Sequence, residues 1–170
     1  MLTIRPEKPE DYQQIAEVNT HAFFRPDEAD LVDTLRSDGK LVVSLVAVMG
    51  ERVVGQIAFS PVRLDQMGKP SGAVGLGPMA VLPTHQNQGI GLELIKAGLD
   101  ACRDAGYEVV VVLGHPGYYP KAGFAPASAY GISCEFDVPD EVFMALELEP
   151  GKLDHYRGAA CYQPAFRSVS

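Results

Sequence analysis

The spacing of apolar and polar residues at the start of the chain predicts one strand followed by two helices. Residues 2–5 (Leu-Thr-Ile-Arg) alternate apolar and polar, as a short edge strand does, and Pro6 ends the pattern. Acidic residues then precede an apolar stripe that predicts a helix from Glu10 to about Phe24. A second helix is expected from Pro26 to the turn at Asp38-Gly39, with its apolar residues facing inward.

The next three apolar stretches predict an antiparallel meander. Residues 42–49 and 52–60 are expected to form a hairpin in which Gly50 takes a positive φ. A loop rich in Gly, Pro, Asp and Lys, from Asp65 to Gly72, joins this hairpin to a third strand.

A strand, a glycine-bearing turn and a helix follow in residues 73–92, the stretch with the most specific pattern. The apolar run Val74–Leu82 ends at Pro83, and a helical pattern then extends to Gly106. The run Val109–Leu113 is apolar throughout, which is typical of a strand covered on both faces. These elements predict a right-handed βαβ unit with two parallel strands.

Beyond this unit the pattern is weaker. We expect about one helical turn between Pro116 and Pro120, strands at residues 132–136 and 142–148, and a tail over residues 150–170. The predicted fold class is α/β, a mixed sheet that is antiparallel at its start and contains a central parallel pair. No internal repeat is visible, so residues 1–170 are predicted to be a single domain with a core over about residues 2–149.

Charge and cysteine content narrow the class of protein. With 14 basic and 22 acidic residues in 170, the formal charge is −8, which disfavours nucleic acid as a partner. Three widely spaced cysteines and four isolated histidines suggest reduced thiols and no metal site. No apolar run reaches the roughly 20 residues of a membrane helix, and the first residues lack a secretory pattern, so a cytoplasmic location is expected.

The turn Gln86-x-x-Gly89-x-Gly91 has the properties of an anion site. Backbone N–H groups at a helix start have no intrahelical partner, and the helix dipole adds positive potential there. Glycine lets a ligand approach the backbone closely. The chain contains no G-x-x-x-x-G-K-S/T P-loop and no G-x-G-x-x-G dinucleotide turn.

Taken together, the strand, turn and helix, the Val-rich strand and the later aromatic segment resemble the GNAT N-acetyltransferase superfamily over nearly the whole chain. The most specific pieces are the turn at residues 86–91 and the segment 118–124, Tyr-Tyr-Pro-Lys-Ala-Gly-Phe. The Gly-His-Pro-x-Tyr-Tyr form and the Phe-Met-Ala-Leu-Glu-Leu segment at 143–148 are similar to a bacterial subgroup of predicted acetyltransferases.

The resemblance implies that acetyl-CoA is the co-substrate, with its pyrophosphate at the turn and its pantetheine arm along the preceding strand. Gly75, Gly77 and Pro78 suit a strand that parts from its neighbour around a ligand. The cofactor-binding positions that carry over are Met79, Ala80, Val81, Gln86, Asn87, Gln88, Gly89, Ile90, Gly91 and Leu92.

Tyr119 falls at the family position of the tyrosine that protonates the departing CoA thiolate. Proton delivery by a positioned phenol is a form of general acid catalysis. The neighbouring Tyr118 is more easily explained as a packing residue. The backbone N–H of Ala80 or Val81 is expected to polarise the thioester carbonyl.

The general base is the missing part of this site. Many relatives use a carboxylate on the strand before the turn, and residues 73–82 contain no Asp or Glu. His21, Glu28, His85 and a water relay remain as alternatives. His115 stands where relatives often place a pantetheine-contacting polar residue such as Asn.

The expected function is acetyl-CoA-dependent acetylation of a primary amine, by direct transfer, on an unidentified small molecule or protein. The missing carboxylate favours an alternative function, that of a non-catalytic acyl-CoA sensor. A third and weaker hypothesis is a nucleotide-binding regulatory domain. The aromatic residues of the tail are candidates for a wall of the acceptor pocket or for a homodimer interface: Tyr156, Tyr162 and Phe166.

Overall fold

The strands and helices of the described chain, residues 1–65 and 72–169 of a computed structural model, group into two units. The first contains residues 1–59, 77–98 and 164–169, and the second contains residues 60–76 and 99–163. Two strands and one helix contribute residues to both units. The greater part of the predicted loop between Asp65 and Gly72, residues 66–71, lies outside the described residues.

The first unit is built on the predicted meander. Its strands are β1 (Leu2–Pro6), β2 (Val43–Met49), the first part of β3 (Arg52–Asp65) and the second part of β4 (Ala73–Val81). Strand β2 is antiparallel to both β1 and β3, with an irregularity between Ala47 and Val48. The Leu82 N–H donates to the Val54 carbonyl at 2.8 Å, and this bond holds the end of β4 beside β3. Gly50 has a φ of 66°, as predicted for the hairpin.

Three helices carry the predicted apolar stripes. They are α1 (Tyr12–Phe23), α2 (Asp27–Ser37) and α3 (Ile90–Asp104). Their inward residues are buried: Ile15, Val18, Val32, Leu35, Leu94 and Ile95. None of the helices in the described ranges is long and apolar enough to span a membrane.

A chain of buried polar side chains fixes α1 to the sheet of the first unit. Asn19 and Gln56 are fully buried, and Asn19 Nδ2 donates to Gln56 Oε1 at 3.1 Å. Gln56 Nε2 donates to Ser44 Oγ at 3.0 Å, and Ser44 Oγ donates to Glu7 Oε1 at 2.6 Å. Arg36 then binds both oxygens of Glu7. Because leaving a buried polar group without its partner costs about 1–3 kcal/mol, this chain favours one arrangement of α1, α2 and the strands.

The second unit contains the predicted parallel pair. Its strands are the first part of β4, the end of β3, β5 (Val109–Leu113), β6 (Ala125–Pro126), β7 (Ile132–Cys134), β8 (Phe143–Glu147) and β9 (Arg157–Cys161). Residues 73–76 of β4 run parallel to residues 109–112 of β5, which confirms the predicted pair. Strand β5 is antiparallel to β8, which also pairs with β6, and β9 joins the end of β3 to β7.

Two features of this unit were not predicted. Residues 157–161 of the predicted tail form strand β9, and their Arg-Gly-Ala-Ala-Cys sequence lacks the β-branched residues that mark a strand. The helical turn at Tyr119–Ala122 overlaps the interval between the two prolines and continues past Pro120. Pro120 lies in the first positions of that turn, where its missing N–H removes no hydrogen bond.

The aromatic residues of the tail take structural positions. Tyr156 and Tyr162 are 1% and 5% exposed, so both rings belong to the core of the second unit and cannot form a subunit interface. Tyr156 Oη donates to Glu108 Oε1 at 2.7 Å and accepts the Gly72 N–H at 3.0 Å. Lys152 also binds Glu108, at 3.0 Å. Phe166 is half-buried in the first unit.

Candidate functional site

The turn between β4 and α3 has the backbone conformation that an anion site needs. Asn87 and Gly89 both have left-handed backbone angles, with φ of 64° and 86°. The first intrahelical bond of α3 is donated by the Glu93 N–H to the Gly89 carbonyl at 3.1 Å. The N–H groups of residues 89–92 therefore lie at the helix start, where no earlier helical carbonyl can accept them.

The space beside this turn is open. Residues 86–89 are exposed, and a Cβ added to Gly89 would meet no atom within 4 Å. Ile90 and Leu94 are buried and anchor the first turn of α3. A phosphate group can therefore reach the backbone of a rigid helix start, where the helix dipole favours negative charge.

Gln86 has a structural role that the sequence did not indicate. Its side-chain Nε2 donates to the Val81 carbonyl at 3.0 Å, which ties the turn back to the end of β4. The Val81 carbonyl therefore already accepts a hydrogen bond from within the protein.

The backbone groups of Ala80 point to a different side of β4 from those of Met79 and Val81. The Ala80 carbonyl oxygen faces β3, because it lies 3.2 Å from the position that a Cβ on Gly55 would take. The Leu82 N–H donates to the Val54 carbonyl of the same strand. Successive residues of a strand direct their backbone groups to opposite sides. The N–H groups of Met79 and Val81 therefore point away from β3.

The glycines and proline of β4 differ in what they do. Gly75 lies within the parallel ladder opposite Val111, and a Cβ there would come within 2.6 Å of the Tyr162 ring, so this glycine is explained by packing. Within the described residues the ladder with β5 ends at Leu76. Gly77 follows with a φ of 146°, and its bond to Pro78 is cis.

Tyr119 is held in the second unit by aromatic packing. Its ring is 8% exposed and lies edge-on against Tyr118 and Phe124, with centroid distances of 5.4 and 5.8 Å. A Cβ at Gly114 would overlap this ring, so the glycine permits the close approach. Burial raises the pKa of Tyr119 to about 12, which keeps the phenol protonated at neutral pH.

The neighbours of Tyr119 have local structural partners. Tyr118 is half-buried, and Lys121 Nζ lies 5.9 Å from the centre of its ring. His115 is exposed, and its Nδ1 accepts the Gly117 N–H at 3.0 Å. His115 therefore shapes the turn before Tyr119, a role that an Asn at this position could also perform.

The three candidate bases differ in their surroundings. Glu28 is buried, and both of its carboxylate oxygens are bound by Arg25, at 2.9 and 2.6 Å. His85 Nδ1 lies 2.8 Å from Thr84 Oγ1. His21 is exposed near the end of α1. Glu28 thus has an established ion-pair role, whereas the two histidines lie near the surface.

Two cysteines are unsuited to covalent catalysis. Cys102 is buried in α3, and its burial raises the pKa of the thiol to about 12. Burial also raises the pKa of Cys134. Because the thiolate is the nucleophilic form of cysteine, a raised pKa makes each of these thiols a poorer nucleophile at neutral pH.

The predicted cofactor positions share one unit. Residues 79–81 and 86–92 belong to the first unit, and Tyr119 belongs to the second. The residues that sequence reasoning missed are Gly114, which accommodates the Tyr119 ring, and Gly55, against which the Ala80 carbonyl packs. Both are glycines in ordinary strand or turn contexts, so no local pattern marks them.

Comparison with known proteins gives a consistent result. A family model described as an acetyltransferase (GNAT) domain matches residues 3–127. YhbS of Escherichia coli K12, described as an uncharacterized N-acetyltransferase, is 35% identical over 166 residues, covering 97% of this chain and 98% of YhbS.

Two solved structures resemble the whole chain. The structure of E. coli YhbS in complex with CoA has a TM-score of 0.93 at 34% identity and covers 99% of this chain and 93% of its own. A GNAT family acetyltransferase from Brucella melitensis in complex with acetyl-CoA has a TM-score of 0.81 at 37% identity, covering 98% of each chain. On its fold, its sequence and these relatives, the chain belongs to the GNAT acetyltransferase family and is an acyltransferase.

Proposed function

We propose that this protein is an acetyl-CoA-dependent N-acetyltransferase that transfers an acetyl group directly to a primary amine of an unidentified small molecule or protein. The observation that carries the proposal is the left-handed, exposed turn at Asn87 and Gly89 at the start of α3, where a Cβ on Gly89 would meet no atom within 4 Å. Relatives that share the fold and more than a third of the sequence were solved with CoA or acetyl-CoA bound. The pyrophosphate of acetyl-CoA is the anion assigned to this turn.

The pantetheine arm is assigned to the side of β4 that faces away from β3. An extended, amide-bearing ligand can pair with a strand edge through backbone hydrogen bonds. Met79 and Val81 direct their N–H groups to that side, whereas the Ala80 backbone faces β3. The Val81 N–H is therefore preferred to that of Ala80 as the donor that stabilises the oxyanion.

The reaction proceeds through a tetrahedral intermediate. The neutral amine nitrogen attacks the thioester carbonyl carbon, the C–S bond breaks, and the CoA thiolate takes a proton. Tyr119 is assigned as the proton donor, since burial keeps its phenol protonated. Burial raises the pKa of the Cys102 and Cys134 thiols, which supports direct transfer without an acetyl-cysteine intermediate.

A non-catalytic acyl-CoA sensor is the second candidate. It is favoured by the absence of Asp and Glu from residues 73–82, where many relatives carry a base. A water relay or one of the surface histidines would have to replace that base in an active enzyme.

The identity of the ligand can be tested by thermal unfolding. Acetyl-CoA at about 100 times its Kd is expected to stabilise the fold by roughly 2.7 kcal/mol, because it binds the native state alone. ATP and NAD at the same concentrations should leave the midpoint unchanged. Stabilisation by ATP or NAD without stabilisation by acetyl-CoA would assign the turn to a nucleotide-binding domain instead.

A further inference from the structure

The helices α1, α2 and α3 are each followed within two residues by a residue with a left-handed backbone, and after α1 that residue is not a glycine. Gly39 follows α2 with a φ of 70°, and Gly106 follows α3 with a φ of 93°. Phe24 follows α1 with a φ of 58°. Glycine is the usual residue in this position because a Cβ is strained there. Helix termination alone therefore does not explain a phenylalanine.

Burial of the Phe24 side chain does not offset this strain. Phe24 is 86% exposed, the highest value for a large apolar residue after the terminal Met1 among the residues that the structure describes. The neighbouring Phe23 is 37% exposed. Residues held in strained backbone conformations cluster at active sites and ligand-binding positions. The two exposed aromatic side chains at the end of α1, the Phe23–Phe24 pair, are therefore a candidate for ligand contact.

The backbone on both sides of Phe24 is held in place. Arg25 donates to both carboxylate oxygens of Glu28, at 2.9 and 2.6 Å, and Glu28 is buried. Pro26 restricts the backbone of the residue before it, and its carbonyl accepts the Asp30 N–H at 2.9 Å. Since α1 fixes the preceding residues and these contacts fix the following ones, the exposed ring has a defined position.

Two hydrogen bonds define how α1 lies along β3. The Val53 N–H donates to Gln14 Oε1 at 2.9 Å, and Asn19 Nδ2 donates to Gln56 Oε1 at 3.1 Å. The helix therefore runs in the same direction as β3. The last residue of α1 lies about 6 Å along the helix beyond Asn19, and about two residues of a strand span that length. The end of α1 is therefore level with Ala58.

Strand β4 brings the first of the proposed cofactor positions to nearly the same level. The Leu82 N–H donates to the Val54 carbonyl of the neighbouring strand β3, which runs in the opposite direction. Four residues back along β4, Pro78 is therefore near the level at which α1 ends. Pro78 directly precedes Met79, the first strand position assigned to acetyl-CoA, whereas the turn assigned to the pyrophosphate follows β4. The Phe23–Phe24 pair thus lies at the level of the pantetheine positions and away from the phosphates.

We propose that Phe23 and Phe24 bind the acceptor and that the acceptor carries a bulky apolar group close to its primary amine. This inference rests on the proposed acetyltransferase function. An apolar group that covers these rings removes apolar surface from water, and contact between aromatic rings adds to that gain. A small amine without such a group leaves the rings exposed and gains nothing from them. The same chemistry is available to a free amine and to a lysine in a peptide.

Calorimetric titration of the protein saturated with CoA tests this binding separately from catalysis. 3-Phenylpropylamine is expected to bind the wild type at least about tenfold more tightly than propylamine, which has the same ammonium group and no ring. The matching pair for a peptide acceptor is a short peptide with phenylalanine or glycine beside its single lysine. Preference for the apolar member of one pair identifies the source of the amine. Equal affinities within both pairs, or no binding by any of the four, would overturn the inference.

Phe24→Asn separates the ring from the backbone strain. Asparagine tolerates a left-handed backbone, as Asn87 does with a φ of 64°. The variant is expected to bind the preferred apolar amine about tenfold more weakly, with propylamine and CoA unaffected. Its thermal midpoint should rise by about 2 °C, because the strain is relieved. Phe24→Tyr keeps both the ring and the strain, so it is the matched control and should bind as the wild type does.

Two results with Phe24→Asn would contradict the proposal. A lower thermal midpoint would show that the ring packs within the protein, and an undiminished preference for the apolar amine would show that the ring does not contact the acceptor. Release of CoA from acetyl-CoA is then measured: acetylation of propylamine but not of the preferred amine would also overturn the proposal. Preferential binding with no acetylation of any amine would instead refute the enzyme function and leave the apolar site standing.

Discussion

Replacing Gly89 with leucine is expected to weaken acetyl-CoA binding about 100-fold while the protein stays folded. The side chain would occupy the open space beside Gly89, at the helix start to which the pyrophosphate is assigned. Each hydrogen bond to a charged group contributes about 1.5–3 kcal/mol, so losing two of them corresponds to a factor of 100 or more. Calorimetric titration with acetyl-CoA measures the change.

The backbone strain of this substitution needs its own control. A leucine at a φ of 86° costs about 1–2 kcal/mol whether or not the position binds a ligand. Gly39, in the turn after α2, has a φ of 70° and also has no atom within 4 Å of an added Cβ. Gly39→Leu should therefore lose similar stability in urea unfolding but retain wild-type affinity. An unchanged Kd in Gly89→Leu would remove the pyrophosphate from this turn.

The Tyr119→Phe variant is expected to turn over about 10²- to 10³-fold more slowly than the wild type, with an unchanged Kd for acetyl-CoA. A positioned general acid contributes roughly 10²- to 10⁴-fold to a rate. Phenylalanine keeps the edge-on packing against Tyr118 and Phe124, so the fold and the cofactor site should be preserved. Tyr118→Phe removes a neighbouring hydroxyl and should change kcat little.

The pH dependence gives a second readout for Tyr119. A general acid loses activity as the pH rises through its pKa, and burial moves that pKa up to about 12. Wild-type kcat should therefore show no loss from Tyr119 ionisation between pH 7 and 10, and the deficit of Tyr119→Phe should persist over that range. A variant that turns over like the wild type at every pH would exclude the proton-donor role.

Local sequence patterns were sufficient to predict the elements that have an unbroken apolar run or a regular apolar stripe. The Val109–Leu113 run and the stripe of α3 predicted a βαβ unit, and the parallel register of β4 with β5 confirms it. Strand β9 was missed because Gly158, Ala159 and Ala160 carry no strand preference. Its place is set by pairing with β3 and β7, which are distant in sequence.

The candidate site also has parts that local sequence predicts and parts that it does not. The turn was predictable because Gly89 and Gly91 are typical of a backbone that a ligand can approach closely. The hydrogen bond from the Gln86 side chain to the Val81 carbonyl was not predictable, because it depends on how the turn folds back on β4. The choice of Val81 over Ala80 follows from which strand lies beside β4.

The proposed acetyl transfer is tested most directly by mass spectrometry of a panel of amines incubated with the wild-type protein and acetyl-CoA. At least one primary amine is expected to gain a single acetyl group with release of one equivalent of CoA. The same amine should react far more slowly with the Tyr119→Phe variant. If the protein binds acetyl-CoA tightly and acetylates no member of a broad panel of small amines and peptides, it is a sensor of acyl-CoA and the proposed enzyme function is wrong.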